Sequence, residues 1–281
     1  MSEEYGWTTT ASGRLRHLRR GSGRTVVLLH TLRTQLEYFG ALLGHLAGDV
    51  DVLVPDLPGH GESDAPAVAY SADFFIASVE QLLDAAGVAD ALVVGESIGG
   101  SIALALAARD NPRVAAVIAV NPYDYGRWGG IRRSSPLANL IFTMILWPGV
   151  GPVIAGGATR GILRAVLSGG LVDTRHLPDE LVETLHRCGR RPGHARALRS
   201  LSQHWRTWIS ARAAYPESSV PVTLVYGDED WSRPSERHEN ATAIPGARTV
   251  ALHHCGHFAS LDQPSQIAAV IRSGLESTSS R

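Results

Sequence analysis

The chain has 281 residues, 44% hydrophobic and 19% charged, enough apolar material to bury a large core. Its 27 acidic and 26 basic residues leave a net charge of -1, so no overall field draws it to nucleic acid or an anionic membrane. Every basic residue is arginine, which excludes a lysine nucleophile, and two cysteines, Cys188 and Cys255, are too few for a disulfide framework.

The start, Met1-Ser2-Glu3-Glu4, lacks the basic and apolar regions of a secretory signal, so a soluble, cytoplasmic protein is expected. Arg14 to Arg19 is expected to add an antiparallel edge strand. Short apolar runs then recur at Thr25–Leu29, Val52–Val54, Ala91–Val94, Val114–Val120, Val222–Val225 and Thr249–Leu252. They show little polar alternation, as parallel strands covered on both faces do. Helical patterns fall between or after them, at Gln35–Leu46, Ala72–Ala86, Ile98–Ala108 and Pro264–Leu275. The alternation predicts an α/β fold with a mostly parallel central sheet flanked by helices.

The alternation stops near Asn121 and resumes at Val220. A structureless loop of about a hundred residues is improbable inside a compact domain, so a helical insertion is expected. The expected division is a core of residues 1–122 and 216–281 with a helical lid at 123–215. Its most apolar part, Leu137 to Val153, is broken by Pro148, Gly149, Gly151 and Pro152 and is too interrupted to span a bilayer. Gly156-Gly157 and Gly169-Gly170 read as turns, the arginines of 187–212 as a solvated helix face, and the Ser-rich end, Ser277–Arg281, as frayed.

The strongest local signal is Gly95-Glu96-Ser97-Ile98-Gly99, placed after an apolar strand and before an alanine-rich helix. A nucleophile at a sharp strand-to-helix turn needs small neighbours, and the helix start offers the Ile98 N–H to an oxyanion. Serine also needs a base and an orienting acid. Candidates follow two later strands: Asp228 and Asp230 in Gly227-Asp-Glu-Asp-Trp-Ser-Arg-Pro234, and His257 in Gly256-His-Phe258.

Together these segments resemble the α/β-hydrolase superfamily. Leu28-Leu29-His30 is similar to its strand end, Asp56-Leu-Pro-Gly-His-Gly-Glu-Ser63 to its D-x-x-G-x-G-x-S loop, and Gly227-x-x-Asp230-x-x-x-Pro234 to its acid loop. Gly256-His257-Phe258 with Asp262-x-Pro264 is similar to its histidine loop. The resemblance implies a triad of Ser97, His257 and Asp230, with Asp228 the rival acid, and an oxyanion hole from the N–H groups of Leu32 and Ile98. Thr31 stands where the family commonly has glycine, and it restricts that loop.

Arg33 is expected to face solvent, with contact to an anionic substrate group as the second reading. Phe142, Trp147, Trp231 and Phe258 are further candidates for substrate binding. His60 is expected to be structural, and Glu96 could tune the charge of the pocket. His253 and His254, placed on a strand, would point to opposite faces, and no metal is expected. The implied activity is hydrolysis of a carboxylic ester, lactone or thioester of a partly apolar small molecule, without a cofactor. Rivals are a cofactor-free C–C bond hydrolase, suggested by Cys255-Gly256-His257, a related lyase or cyclase, and a ligand receptor with slow turnover. Dehalogenases and epoxide hydrolases of this superfamily use aspartate where Ser97 stands.

Overall fold

A computed structural model describes residues 4–46, 48, 50–125 and 130–279. Strands β1 (Glu4–Thr10), β2 (Gly13–Arg20), β3 (Arg24–Leu29) and β4 (Val50–Pro55) come first, with α1 (Gly40–His45) before β4. Then follow α2 (Ala72–Ala85), β5 (Ala91–Glu96), α3 (Ile98–Ala107) and β6 (Val114–Val120). The chain closes with β7 (Val222–Gly227), α11 (Pro234–Ala243), β8 (Arg248–Leu252), α12 (Ala259–Asp262) and α13 (Pro264–Ser279). Between β6 and β7 lie α4 (Ile131–Ser134), α5 (Pro136–Ile145), α6 (Gly151–Gly156), α7 (Arg160–Ser168), α8 (Asp179–Gly189), α9 (His194–Gln203) and α10 (Arg206–Ala211).

The strands form one sheet in the order β1-β2-β4-β3-β5-β6-β7-β8. β1 pairs with β2 and β2 with β4 antiparallel, and all later pairings are parallel. Successive strand residues point to opposite faces, and here both faces are covered. Val27, Leu29 and Val93 join one apolar cluster, while Val26, Leu28, Leu92 and Val94 join the other. That double cover is why the runs lack polar alternation.

Two expectations change. The segment Arg14–Arg19 lies in β2, an inner strand, and the edge belongs to β1. β1 is covered on one side only, with Tyr5 and Trp7 exposed, so it carries no apolar run to announce it. α13 continues through Ser279, beyond Leu275, while Ser280 and Arg281 of the expected frayed end lie outside the described residues. Among the described residues no helix is long and apolar enough to cross a membrane.

Candidate active site

The turn from β5 to α3 sets Ser97 at φ 57° and ψ -116°, a left-handed conformation that costs a non-glycine residue about 1–3 kcal/mol. The neighbours explain the glycines. A Cβ on Gly95 would lie 2.0 Å from the Gly99 carbonyl oxygen, and one on Gly99 would lie 2.1 Å from that of Leu29. Ser97 donates its N–H to Val120 O at 2.9 Å and accepts at its own carbonyl from Tyr123 N at 3.0 Å, so the strained residue is held at both ends.

Ser97 Oγ lies 2.9 Å from His257 Nε2, and His257 Nδ1 lies 2.6 Å from Asp230 Oδ1. The carboxylate can only accept, so Nδ1 carries the proton and Nε2 offers its lone pair to the hydroxyl. Asp230 Oδ2 accepts from Ser232 N at 2.9 Å and from the Tyr125 hydroxyl at 3.3 Å. Burial works to raise the Asp230 carboxyl, but the charge and hydrogen bond of His257 and the bonds from Ser232 outweigh it, leaving the pKa lowered. Asp228 is exposed and does other work: it accepts from His254 N at 3.2 Å and Cys255 N at 3.1 Å, fixing the turn after β8. His253 and His254 lie in that turn rather than on a strand, with His254 at φ 50°. Among the described residues no group of three His, Cys, Asp or Glu side chains could hold a metal ion.

Asn121, which sequence reasoning missed, ties these loops together. Buried at the end of β6 with φ 43°, it donates through Nδ2 to the carbonyls of Gly256 and His257, both at 3.0 Å. Its Oδ1 accepts from Gly227 N at 3.0 Å. A single amide thus fixes the acid loop relative to the histidine loop. The one available signal was an asparagine directly after a fully apolar strand.

Trp231 and Phe258 pack against the imidazole of His257. The Trp231 ring stacks on His257 with centroids 3.9 Å apart and planes 13° apart, and Trp231 Nε1 donates to Gly169 O at 3.1 Å. Phe258 is buried, edge-on to both rings. Behind the nucleophile, Glu96 accepts from the Tyr38 hydroxyl and the Ser260 hydroxyl, each at 2.5 Å. Burial pushes the Glu96 carboxyl up to about 7, against those bonds and the nearby His257 charge, which favour the anion.

The loop after β3 brings the remaining candidates together. His30 Nε2 accepts from Leu57 N at 2.9 Å, so its proton is on Nδ1, 2.9 Å from Thr31 O. Burial holds His30 down to about 4, and the ring stays neutral. Thr31 keeps an ordinary negative φ, and the left-handed turn that glycine would serve is made by Arg33 at φ 63°. The N–H groups of Leu32 and Ile98 have no hydrogen-bond partner among the described residues, although both residues are buried. Unpartnered buried N–H groups are rare, and that of Ile98 stands at the start of α3, directly after Ser97.

Arg33 is half-buried and lines two cavities. One is walled by Ile141, Phe142 and Ile145 of α5, Ile154 of α6 and Val166 of α7. Phe142 is thus a cavity wall, whereas Trp147 is 54% exposed, in the turn after α5 ends at Ile145. His60 is buried, its Nδ1 3.0 Å from Pro58 O, in the structural loop expected of it.

A family model described as "Alpha/beta hydrolase family" matches residues 26–270. The chain is 27% identical over 281 residues to a 2-hydroxymuconate semialdehyde hydrolase of Pseudomonas sp., covering 96% of this chain and 93% of that one. It is 28% identical over 269 residues to a pimeloyl-[acyl-carrier protein] methyl ester esterase of Aromatoleum aromaticum, covering 88% and 96%. Among solved structures, a haloalkane dehalogenase loop variant from Bradyrhizobium elkanii superposes with a TM-score of 0.82 at 19% identity, over 99% of this chain and 98% of that one. A likeness at that identity speaks for the fold alone. On the matched motifs and the shared sheet, the chain belongs to the alpha/beta hydrolase family.

Proposed function

We propose that the protein is a serine hydrolase that cleaves a carboxylic ester, lactone or thioester of a partly apolar small molecule through an acyl-enzyme. The observation that carries this reading is the unbroken chain from Ser97 Oγ to His257 Nε2 at 2.9 Å and from His257 Nδ1 to Asp230 at 2.6 Å. His257 takes the hydroxyl proton as Ser97 attacks the carbonyl carbon. The tetrahedral oxyanion accepts from Leu32 N–H and Ile98 N–H, and Asp230 stabilises the imidazolium. The imidazolium then protonates the leaving group, and water, deprotonated by the same ring, releases the acid. Ser97 is 2% exposed, which supports a lid role for the helices between β6 and β7.

A second reading, hydrolysis of a C–C bond on the same residues, draws support from the semialdehyde hydrolase relative. In either case a fluorophosphonate should attach to Ser97, as mass spectrometry of the labelled protein reads directly. No adduct on folded protein, or an adduct undiminished in His257→Ala, overturns the assignment. p-Nitrophenyl esters then separate the readings: brisk Ser97-dependent release of nitrophenol is expected of an esterase, and labelling without ester turnover favours C–C cleavage.

A further inference from the structure

Arg33 combines two costs that no structural role repays. Its left-handed backbone costs about 1–3 kcal/mol for a side-chain-bearing residue. Its guanidinium makes no hydrogen bond and no ion pair among the described residues, and burial pulls its pKa down with no acid opposing the shift. The carboxylates of Asp56, Glu37 and Glu62 all pair with Arg16. A half-buried cation without a counter-ion can accept an anion.

The cavity it lines is bounded also by His60 and His194 and, among the described residues, by no acidic side chain. Both histidines are buried, and Nδ1 of His194 has no hydrogen-bond partner. Each imidazole directs its other nitrogen to a backbone carbonyl, His60 to Pro58 and His194 to Gly61 at 3.1 Å. In their neutral forms the rings spend their single N–H there, so the guanidinium supplies the free donors, in a planar fork that matches a carboxylate. Arg33 and Leu198 also line the apolar chamber between α5, α6 and α7, so the two spaces share a wall. Arg33 directly follows Leu32, one of the two residues whose backbone N–H has no hydrogen-bond partner among the described residues.

We propose that the cavity bounded by Arg33, His60 and His194 is a carboxylate subsite, which holds an acid group of the substrate while the substrate's apolar part occupies the adjoining chamber. The substrate class is then an amphipathic acid whose carboxylate and scissile carbonyl are separated by a short apolar spacer. This rests on the serine-hydrolase reading for what is cleaved, but not for the anion site itself.

Two matched esters test it: mono-p-nitrophenyl adipate, which ends in a carboxylate, and neutral p-nitrophenyl hexanoate. The ratio of their kcat/KM values cancels any loss of folded enzyme. Arg33→Gln should lower the anionic-to-neutral ratio by about 30- to 100-fold, the span expected for a lost charge-assisted pair, with Arg33→Lys between. A fall of less than tenfold in Arg33→Gln overturns the proposal. Calorimetry with adipate on Ser97→Ala needs no turnover: binding should vanish when Arg33→Gln is added. If adipate binds in this Arg33-dependent way while the wild type hydrolyses neither ester, the ester-hydrolase reading fails and the anion site stands. If adipate binding ignores Arg33, or does not compete with the hexanoate ester, the subsite is wrong.

Discussion

The edge of the sheet and the helices between β6 and β7 hold their polar groups in opposite ways. Around Ser97, the carboxylate of Asp230, both ring nitrogens of His257, the amide of Asn121 and the carboxyl of Glu96 each have protein partners. In the insertion, buried His194 Nδ1, Arg199 Nε and Trp208 Nε1 have none, and the chamber is walled by aliphatic side chains. The difference separates two tasks. A proton relay works only in fixed geometry, so its supports are complete before any ligand arrives. A surface that selects a ligand keeps polar capacity open, at a cost in stability, until the ligand fills it.

The largest expected effect probes the complete side of this contrast. Asp230→Ala should lower kcat by roughly 10^4-fold, whereas Asp228→Ala, which frays only the turn at His254 and Cys255, should stay within about tenfold of wild type. Steady-state kinetics on one ester decide it, and the reverse order would move the orienting role to Asp228. Next is Asn121→Ala, which strands two carbonyls and one N–H of the catalytic loops. It should lower stability by about 2–4 kcal/mol and the melting temperature by roughly 5–10 °C. A melting temperature within a degree of wild type would show that the loops hold their places without it.

The smallest effect concerns Glu96. Its folded pKa of about 7 lies above the ordinary 4.5, so the folded state keeps a proton that the unfolded chain has already released. The associated stability is complete below about pH 4.5 and is lost as pH rises through 7. Glu96→Gln removes that titration. The melting temperature of the variant minus that of wild type should therefore rise by roughly 2–5 °C between pH 5 and pH 8. A flat difference would mean that Glu96 is already ionised at pH 5.

The sheet and the meeting of Ser97, His257 and Asp230 were legible in the sequence because each rests on a local pattern. A buried strand shows as an apolar run, and a nucleophile turn shows as serine among glycines whose Cβ atoms would collide with backbone. What stayed hidden depends on contacts across the fold. Tyr38 meets Glu96 from 58 positions away and Ser260 meets it from 164, and no short window of sequence encodes either bond. β1 was invisible because an edge strand covered on one side needs no apolar run. Arg33 is half-buried at the wall of two cavities after a turn at φ 63°, and no local pattern marks that placement, since surface exposure is the ordinary fate of arginine.

The stacking of Trp231 on His257 bears on how such an enzyme can diversify. An aromatic residue at that position is bound to the base on one face and, through Gly169, to the insertion on its rim. Replacing it to suit a new ligand would disturb the proton carrier in the same stroke. Innovation in ligand preference is thereby channelled away from the sheet and into the aliphatic walls of α5, α6 and α7, where a changed contour leaves the chemistry intact.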